Sequence, residues 1–165
     1  MPPRGPMDHF TTGRSPVQIM RQKMAVLSLR KARTIIRKTL DYGKEQGYRP
    51  LSVVVLDEGG NVKAFEREDD AAPGRFAVAH GKAFGSIMLG IPGSVQKARA
   101  EEEAYLMQAI NGVYGGQVVP VPGGILLRDK RGRIVGAMGV TGDTSENDAE
   151  AGLAGIEASG LIGEA

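Results

Sequence analysis

Two segments of this chain carry the same turn signature between apolar, strand-like runs, and this repeat is the strongest constraint on its fold. In the first, Asp57-Glu-Gly-Gly-Asn-Val62 joins an apolar run at 51–56 to an alternating segment at 62–67. In the second, Asp129-Lys-Arg-Gly-Arg-Ile134 divides the apolar segment 125–140. Aspartate begins such a turn by bonding nearby backbone, and glycine takes the left-handed position that a bulged hairpin needs. The repeat therefore predicts two β-hairpins and a sheet of at least four antiparallel strands.

Helical periodicity surrounds the two hairpins. Ser28 is a candidate N-cap for a helix that ends near Gly47. Two more helical stretches, separated by residues 90–94, lie between the hairpins. A last helix runs from about Ser145 to Ala158. The residues predicted to face inward in these four helices are Leu29, Ala32, Ile35, Ile36 and Leu40, then Phe76, Ala79, Ala83 and Ile87, then Leu106, Ala109, Ile110 and Val113, then Ala149, Gly152, Leu153 and Ile156.

Together these patterns predict an α+β fold, in which a five-stranded (or four-stranded) antiparallel sheet is flanked by helices that cover one of its faces. The fifth strand is expected at 117–121. The chain of 165 residues has the length of one domain, which we place at 26–165. Residues 1–25 are rich in Pro, Gly, Arg and Ser, and we expect an N-terminal arm that is flexible or contacts another subunit.

Composition excludes several classes of function. There is no cysteine, which rules out thiol catalysis, disulfides and cysteine-based metal sites. The net charge of +2 and the absence of tryptophan argue against a nucleic-acid partner. No apolar run approaches the roughly 18 residues of a membrane span, and the N-terminus lacks a hydrophobic signal segment. We therefore expect a cytoplasmic protein with no membrane partner.

Two glycine turns at the ends of the second hairpin are candidates for the walls of a binding pocket. Pro122-Gly123-Gly124 enters this hairpin, and Thr141-Gly142 leaves it towards a helix that begins near Thr144. Backbone N–H groups at such turns and helix starts can hold an anionic or carbonyl-bearing ligand. The alternative is that they are tight strand ends and an ordinary helix cap. The acids Glu146 and Asp148 favour a carbonyl or hydroxyl partner over phosphate, because they compete with an outside anion.

Four separated motifs occur in an order that resembles one known family. They are the run from Val53 to Asp69, Gly81-Lys-Ala83, Val119-Pro-Val-Pro-Gly-Gly124, and Gly136-Ala-Met-Gly-Val-Thr-Gly142 with Asp148 beyond it. The order is similar to that of the GlcG/HbpS haem-binding family, which is related to the C-terminal domain of PduO-type corrinoid adenosyltransferases. The resemblance implies a profilin-like domain that forms homodimers and often octamers, takes part in haem or corrinoid handling, and in some members belongs to bacterial catabolism.

Three basic side chains are candidates for binding an acid group. Lys82 lies on a helix of small and apolar residues, so it either pairs with a carboxylate of the protein or of a ligand, or extends to solvent. The family motif at Lys82 favours a role in anchoring a ligand. Arg75 is the better candidate for a bidentate contact to a carboxylate or propionate. For Arg67 we expect a structural ion pair with Asp69.

The two histidines are the candidate metal ligands. His80 either ligates haem iron, acts as a general acid or base, or packs as an ordinary surface histidine. His9 lies in the predicted arm and can act as a ligand only if the arm folds over a pocket.

Three hypotheses for function follow. The first is a small-molecule-binding protein for haem or a related tetrapyrrole, with its pocket between Pro122-Gly123-Gly124, Thr141-Gly142 and the helix that carries His80 and Lys82. The second is a catabolic enzyme of the lyase, isomerase or hydrolase type, acting on a small oxo or hydroxy acid or an aromatic breakdown product. In that enzyme Lys82 and Arg75 hold the carboxylate and His80 moves a proton. The third is a non-catalytic oligomeric accessory protein.

Overall fold

The computed structural model describes residues 13, 15, 16 and 27–165. The remainder of the predicted N-terminal arm, including His9, lies outside the described residues. In chain order the elements are α1 (Leu29–Glu45), β1 (Ser52–Asp57), β2 (Val62–Arg67), α2 (Arg75–Leu89), α3 (Gly93–Glu102), α4 (Ala104–Val113), β3 (Gly124–Arg128), β4 (Ile134–Thr141), α5 (Ser145–Glu157) and β5 (Ile162–Glu164).

The five strands form one antiparallel sheet in the order β2-β1-β4-β3-β5. This confirms the α+β fold with five strands. The position predicted for the fifth strand was wrong, because the fifth strand is the C-terminal β5, which pairs with the free edge of β3. Segment 117–121 binds helix α2 instead, where the amide of Val119 donates to the carbonyl of Gly81 at 3.2 Å.

The two hairpin turns have the chemistry that the repeat predicts. Gly60 and Gly132 both adopt left-handed backbone, with φ of 80° and 78°. Their amides donate to the carbonyls of Asp57 and Asp129 at 3.0 Å and 2.9 Å. Each aspartate also accepts from the amide four residues later through its Oδ1. The strand register shifts beside both turns, as expected of bulged hairpins.

Helices cover both faces of the sheet, so the expectation of one covered face was wrong. Strand β1 explains why: Val53 and Val55 face the core under α1 and α5, while Val54 and Leu56 face the core under α2. All four side chains are fully buried. A strand that is apolar on both faces needs two covering layers, and the continuous apolar run at 51–56 has this pattern.

The second helical stretch predicted between the hairpins is divided at Glu103 into α3 and α4. Its predicted inward stripe does not join the core: Val113 is 81% exposed, and Met107 is the one residue of α4 that is buried. Leu29 and Leu153 also lie on the surface rather than inside. The predicted N-cap of α1 is confirmed, because Ser28 Oγ accepts from the amide of Lys31 at 3.2 Å.

Helix α2 lies unusually close to strand β4 because both contribute residues with little or no side chain. A Cβ atom at Gly139 would overlap with the carbonyl oxygen of Ala79. This approach fixes α2 across the sheet, and α2 carries most of the candidate functional residues. Among the described residues, no helix is both long enough and apolar enough to cross a membrane.

Candidate functional site

Helix α2 points His80 and Lys82 in different directions. Residues two apart on an α-helix are separated by about 200° around its axis. Lys82 is buried against the sheet with 3% of its surface exposed, whereas His80 lies half-buried on the outer side of the helix. The structure therefore does not bring these two predicted residues together in one pocket.

The ammonium group of Lys82 bonds to protein atoms. Its Nζ atom donates to the carbonyl of Val140 and to Oδ2 of Asp148, both at 2.9 Å. The other carboxylate oxygen, Asp148 Oδ1, accepts from the amide of Asp143 at 2.9 Å. Asp148 is also buried. Of the alternatives open for Lys82, the structure shows a pair with a carboxylate of the protein.

The glycine turn at 122–124 packs tightly beside this ion pair. Gly123 has a φ of 97°, and a Cβ atom there would lie 3.0 Å from Lys82 Nζ and 2.7 Å from the carbonyl oxygen of Val140. A Cβ atom at Gly124 would lie 2.5 Å from the carbonyl oxygen of Lys82. Pro122 precedes them in a half-buried position. These residues allow the close contact between α2 and the sheet, and a ligand role for Pro122, Gly123 and Gly124 stays a prediction.

The second predicted wall forms the start of helix α5. Gly142 is buried against the backbone of Pro50, and Thr144 caps α5 by accepting from the amide of Asn147 at 3.2 Å. The neighbouring Asp143 accepts from the amides of Arg49 and Thr144, each at 2.8 Å. These two backbone bonds, with a further bond from the Asn147 side chain, hold the pKa of the Asp143 carboxyl well below its usual range.

A polar cluster lies at the N-terminal end of α2. The Arg75 guanidinium donates to Thr141 Oγ1 at 3.0 Å, and Thr141 is 2% exposed. In the sheet, Ser52 of β1 lies directly opposite Thr141 of β4 and Arg67 of β2. Directly opposite residues point to the same face, so these three side chains share the face that α2 covers. The Ser52 hydroxyl is buried and has no hydrogen-bond partner among the described residues. The first turn of α2 has no acid, and its N-cap, Gly74, has no side chain to cap it.

The predicted ion pair between Arg67 and Asp69 is wrong. Within the described part of the chain, the Arg67 guanidinium instead donates to the carbonyl of Ala71 at 2.5 Å and forms no ion pair. The carbonyl is available because the chain turns at Asp70, which has a positive φ of 66°.

His80 belongs to a row of rings, here called the aromatic row: Phe65, Phe76, His80, Phe84 and Tyr114. Successive ring centroids are 4.8, 5.8, 5.6 and 5.7 Å apart, and His80 stacks on Phe84 with 23° between the ring planes. Partial burial lowers the pKa of the His80 imidazole below its usual value. The lowered pKa favours the neutral imidazole, the form that retains a nitrogen lone pair for a ligand.

An open cleft of about 540 Å³, here called the α2 cleft, lies over this outer side of the helix. Its lining residues are Val62, Phe76, Ala77, Val78, His80, Gly116, Gln117 and Val119. The sequence interpretation identified His80, but its prediction that Phe76 faces inward was wrong, because Phe76 is 41% exposed. It also missed Phe65, Phe84 and Tyr114. The spacing of Phe76, His80 and Phe84 at four-residue intervals was the available signal, because such residues are neighbours on a helix. In the described residues, no group of three His, Asp or Glu side chains is arranged to hold a metal ion.

Comparison with family models matches residues 27–157 to the family described as "Haem degrading protein HbpS-like". No curated protein matches the chain.

Solved structures with the same fold include a PduOC:heme complex, with 20% identity over 84% of this chain and 99% of the other and a TM-score of 0.75. HbpS is 26% identical over 80% of this chain and 89% of its own, with a TM-score of 0.69. A double mutant of HbpS from Streptomyces reticuli is 24% identical over 95% of this chain and 98% of its own, with a TM-score of 0.68.

Proposed function

Because this chain belongs to the family of HbpS-like haem degrading proteins, we propose that it binds haem or a related tetrapyrrole in the α2 cleft, with His80 as the iron ligand. One observation carries the proposal: His80 is stacked within the aromatic row at the surface of an apolar cleft. Histidine is a common axial ligand of haem iron, and apolar walls suit the faces of a flat macrocycle.

The residues of the α2 cleft fit such a group. The lowered pKa of His80 favours the neutral imidazole, which is the form that binds a metal. Phe76 and Phe84 lie on either side of His80 along the helix and limit the directions in which its ring can turn. The volume of about 540 Å³ lies within the roughly 300–1,000 Å³ usual for small-molecule pockets. Haem supplies iron-centred redox chemistry when bound, and the chain supplies a ligand and apolar walls.

The polar cluster at the start of α2 suits the acid groups of the same ligand. Arg75 precedes His80 by five residues, which corresponds to about 7.5 Å along the helix axis and about 140° around it, so its side chain has to leave Thr141 to meet a ligand bound at His80. Arg75 donates to the neutral hydroxyl of Thr141, and a guanidinium forms stronger bonds to a carboxylate than to a hydroxyl. In this proposal Arg75 pairs with a carboxylate while the apolar body of the ligand lies towards His80.

We further propose that copies of the chain associate through helix α4. Residues 104–116 contain no charged side chain, although 24% of the chain is charged. Tyr105 and Val113 are 75% and 81% exposed on this helix. An uncharged apolar surface can pair with its own copy about a two-fold axis without placing like charges together. The second copy is therefore the partner that this helix suits best.

The structure does not favour the catabolic enzyme in the form predicted from the sequence. That mechanism needs Lys82 and His80 to contact one small substrate. Lys82 is instead paired with Asp148 beneath α2, on the side of the helix away from the α2 cleft.

Titration of the purified chain with haem tests the binding proposal. We expect a saturable Soret band with one haem per chain at the end point. A spectrum that remains the sum of free haem and protein at every ratio would overturn the proposal.

A further inference from the structure

A second groove, separate from the α2 cleft, runs along the outer side of helix α1 beside the edge strand β2. Its volume is about 740 Å³, and it is lined by Leu29, Arg30, Arg33, Thr34, Arg37 and Glu66. We call it the arginine groove. It is on the opposite side of the sheet from α2, because α1 and α2 cover different faces.

Three arginines present their charges along one side of this groove. Positions 30, 33, 34 and 37 have the i, i+3, i+4, i+7 spacing that places residues on one helix face. Within the described residues, none of the three guanidinium groups lies within 4.0 Å of a carboxylate, whereas Lys44, Arg49, Lys82, Lys97, Arg128 and Arg133 all do. The arginine groove therefore holds a surplus of positive charge.

The stability of helix α1 does not explain this arrangement. The N-terminus of a helix carries partial positive charge, so nearby cations are unfavourable there and acids are favourable. The first turn of α1 contains Arg30 and Lys31 but no acid, and Arg33 follows directly. A bound anion would offset this unfavourable charge.

We propose that the arginine groove binds a small organic anion that carries two or more phosphate groups. An arginine guanidinium binds a phosphate through two parallel hydrogen bonds. Arg30 and Arg37 are about 10 Å apart along the helix axis, so the groove has room for more than one phosphate. Leu29, which is 54% exposed, supplies an apolar contact for the organic part. The net charge of the chain is only +2, and Glu66 lies within the groove, so a long uniform polyanion is a poorer match.

Calorimetric titration of the full chain with inorganic tripolyphosphate tests this proposal. We expect saturable binding that weakens at least tenfold in the variant Arg30→Gln/Arg33→Gln/Arg37→Gln. The matched control, Lys38→Gln/Lys130→Gln/Arg131→Gln, removes the same charge from exposed positions outside the groove and is expected to change affinity less than twofold. An equal loss in both variants would mean a general charge effect and would overturn the proposal, as would the absence of binding to the wild type.

A gain of affinity separates the proposal from damage to the fold. Among the described residues, Glu66 is the one acid that lines the groove, so tripolyphosphate is expected to bind Glu66→Gln several-fold more tightly than the wild type. Thermal unfolding of the triple arginine variant is expected at or above the wild-type temperature, because the unfavourable charges at the helix start are gone. Binding to phosphatidylglycerol vesicles or duplex DNA without binding to tripolyphosphate would contradict a small ligand.

Discussion

Lys82 Nζ lies 2.9 Å from Asp148 Oδ2, and the two side chains are only 3% and 2% exposed. The pair connects three parts of the fold, because Lys82 also binds the end of β4 and Asp148 also binds the turn before α5. Its position next to Gly123, where a Cβ atom would lie 3.0 Å from Nζ, leaves little room for another group. We therefore regard this ion pair as a structural connection between α2, the sheet and α5.

Lys82→Met should strongly destabilise the protein, because it leaves the buried carboxylate of Asp148 without its partner. Breaking a buried ion pair from one side costs about 3–5 kcal/mol. Urea unfolding followed by circular dichroism measures the change. The double variant Lys82→Met/Asp148→Asn should recover about 1–2 kcal/mol of that loss, since a neutral amide can still accept from the amide of Asp143. A single variant as stable as the wild type would show that the pair has no such role.

Gly139→Ala should also be destabilising, because the added methyl group would overlap with the backbone of α2 at Ala79. Overpacking of this kind costs about 1–3 kcal/mol or more. Gly74→Ala, outside α4, is the matched control, since a Cβ atom at Gly74 meets nothing within 4 Å and its φ of -76° suits any residue. The control should change the unfolding free energy by less than about 1 kcal/mol. Equal unfolding free energies for the two variants would contradict the close packing of α2.

Asp143 should make stability depend on pH at the acid end. Its folded-state pKa is depressed by the backbone bonds from Arg49 and Thr144, so its contribution is complete above the unfolded-state pKa of about 4. That contribution is lost as the pH falls from there towards the folded-state pKa. Asp143→Asn should cost about 1–3 kcal/mol at pH 7, and the difference from wild type should shrink below about pH 4. Urea unfolding at each pH measures this difference. If the difference in unfolding free energy between wild type and Asp143→Asn stays constant from pH 7 to pH 3, the Asp143 carboxylate is not the source of the pH dependence.

Arg75→Gln should weaken haem binding by roughly tenfold, which corresponds to about 1.4 kcal/mol. The reason is the loss of a charged contact to a carboxylate of the ligand. The dimethyl ester of haem lacks that carboxylate charge, so it should bind wild type and Arg75→Gln with the same affinity. If Arg75→Gln lowers the affinity for haem and for its dimethyl ester equally, Arg75 does not contact a carboxylate of the ligand.

The repeated turn chemistry predicted most of the sheet. Asp57 and Asp129, each three residues before a left-handed glycine, were sufficient to predict two hairpins and the antiparallel arrangement. The coverage of both faces was missed although Leu51 to Leu56 is apolar at every position except Ser52. The fifth strand was misplaced because β5 has only three residues and pairs with a distant strand, which leaves no periodic signal.

The candidate site was harder to predict, because helical spacing alone does not say which face of a helix meets the sheet. His80 and Lys82 were both identified from the sequence, but their separation on α2 depends on tertiary packing. The partner of Lys82 is Asp148, 66 residues away, and no local pattern connects the two. The aromatic row likewise depends on Phe65 and Tyr114, which reach α2 from β2 and from the end of α4.

We propose that His80 ligates haem iron in the α2 cleft, and the absorption spectra of the haem-loaded histidine variants test this proposal. His9→Ala is the matched control, since His9 and His80 are the two histidines of the chain. We predict that His80→Ala loses or shifts the Soret band and binds haem at least tenfold more weakly, while His9→Ala keeps the wild-type spectrum. If His80→Ala keeps the wild-type spectrum and affinity, His80 is not the iron ligand.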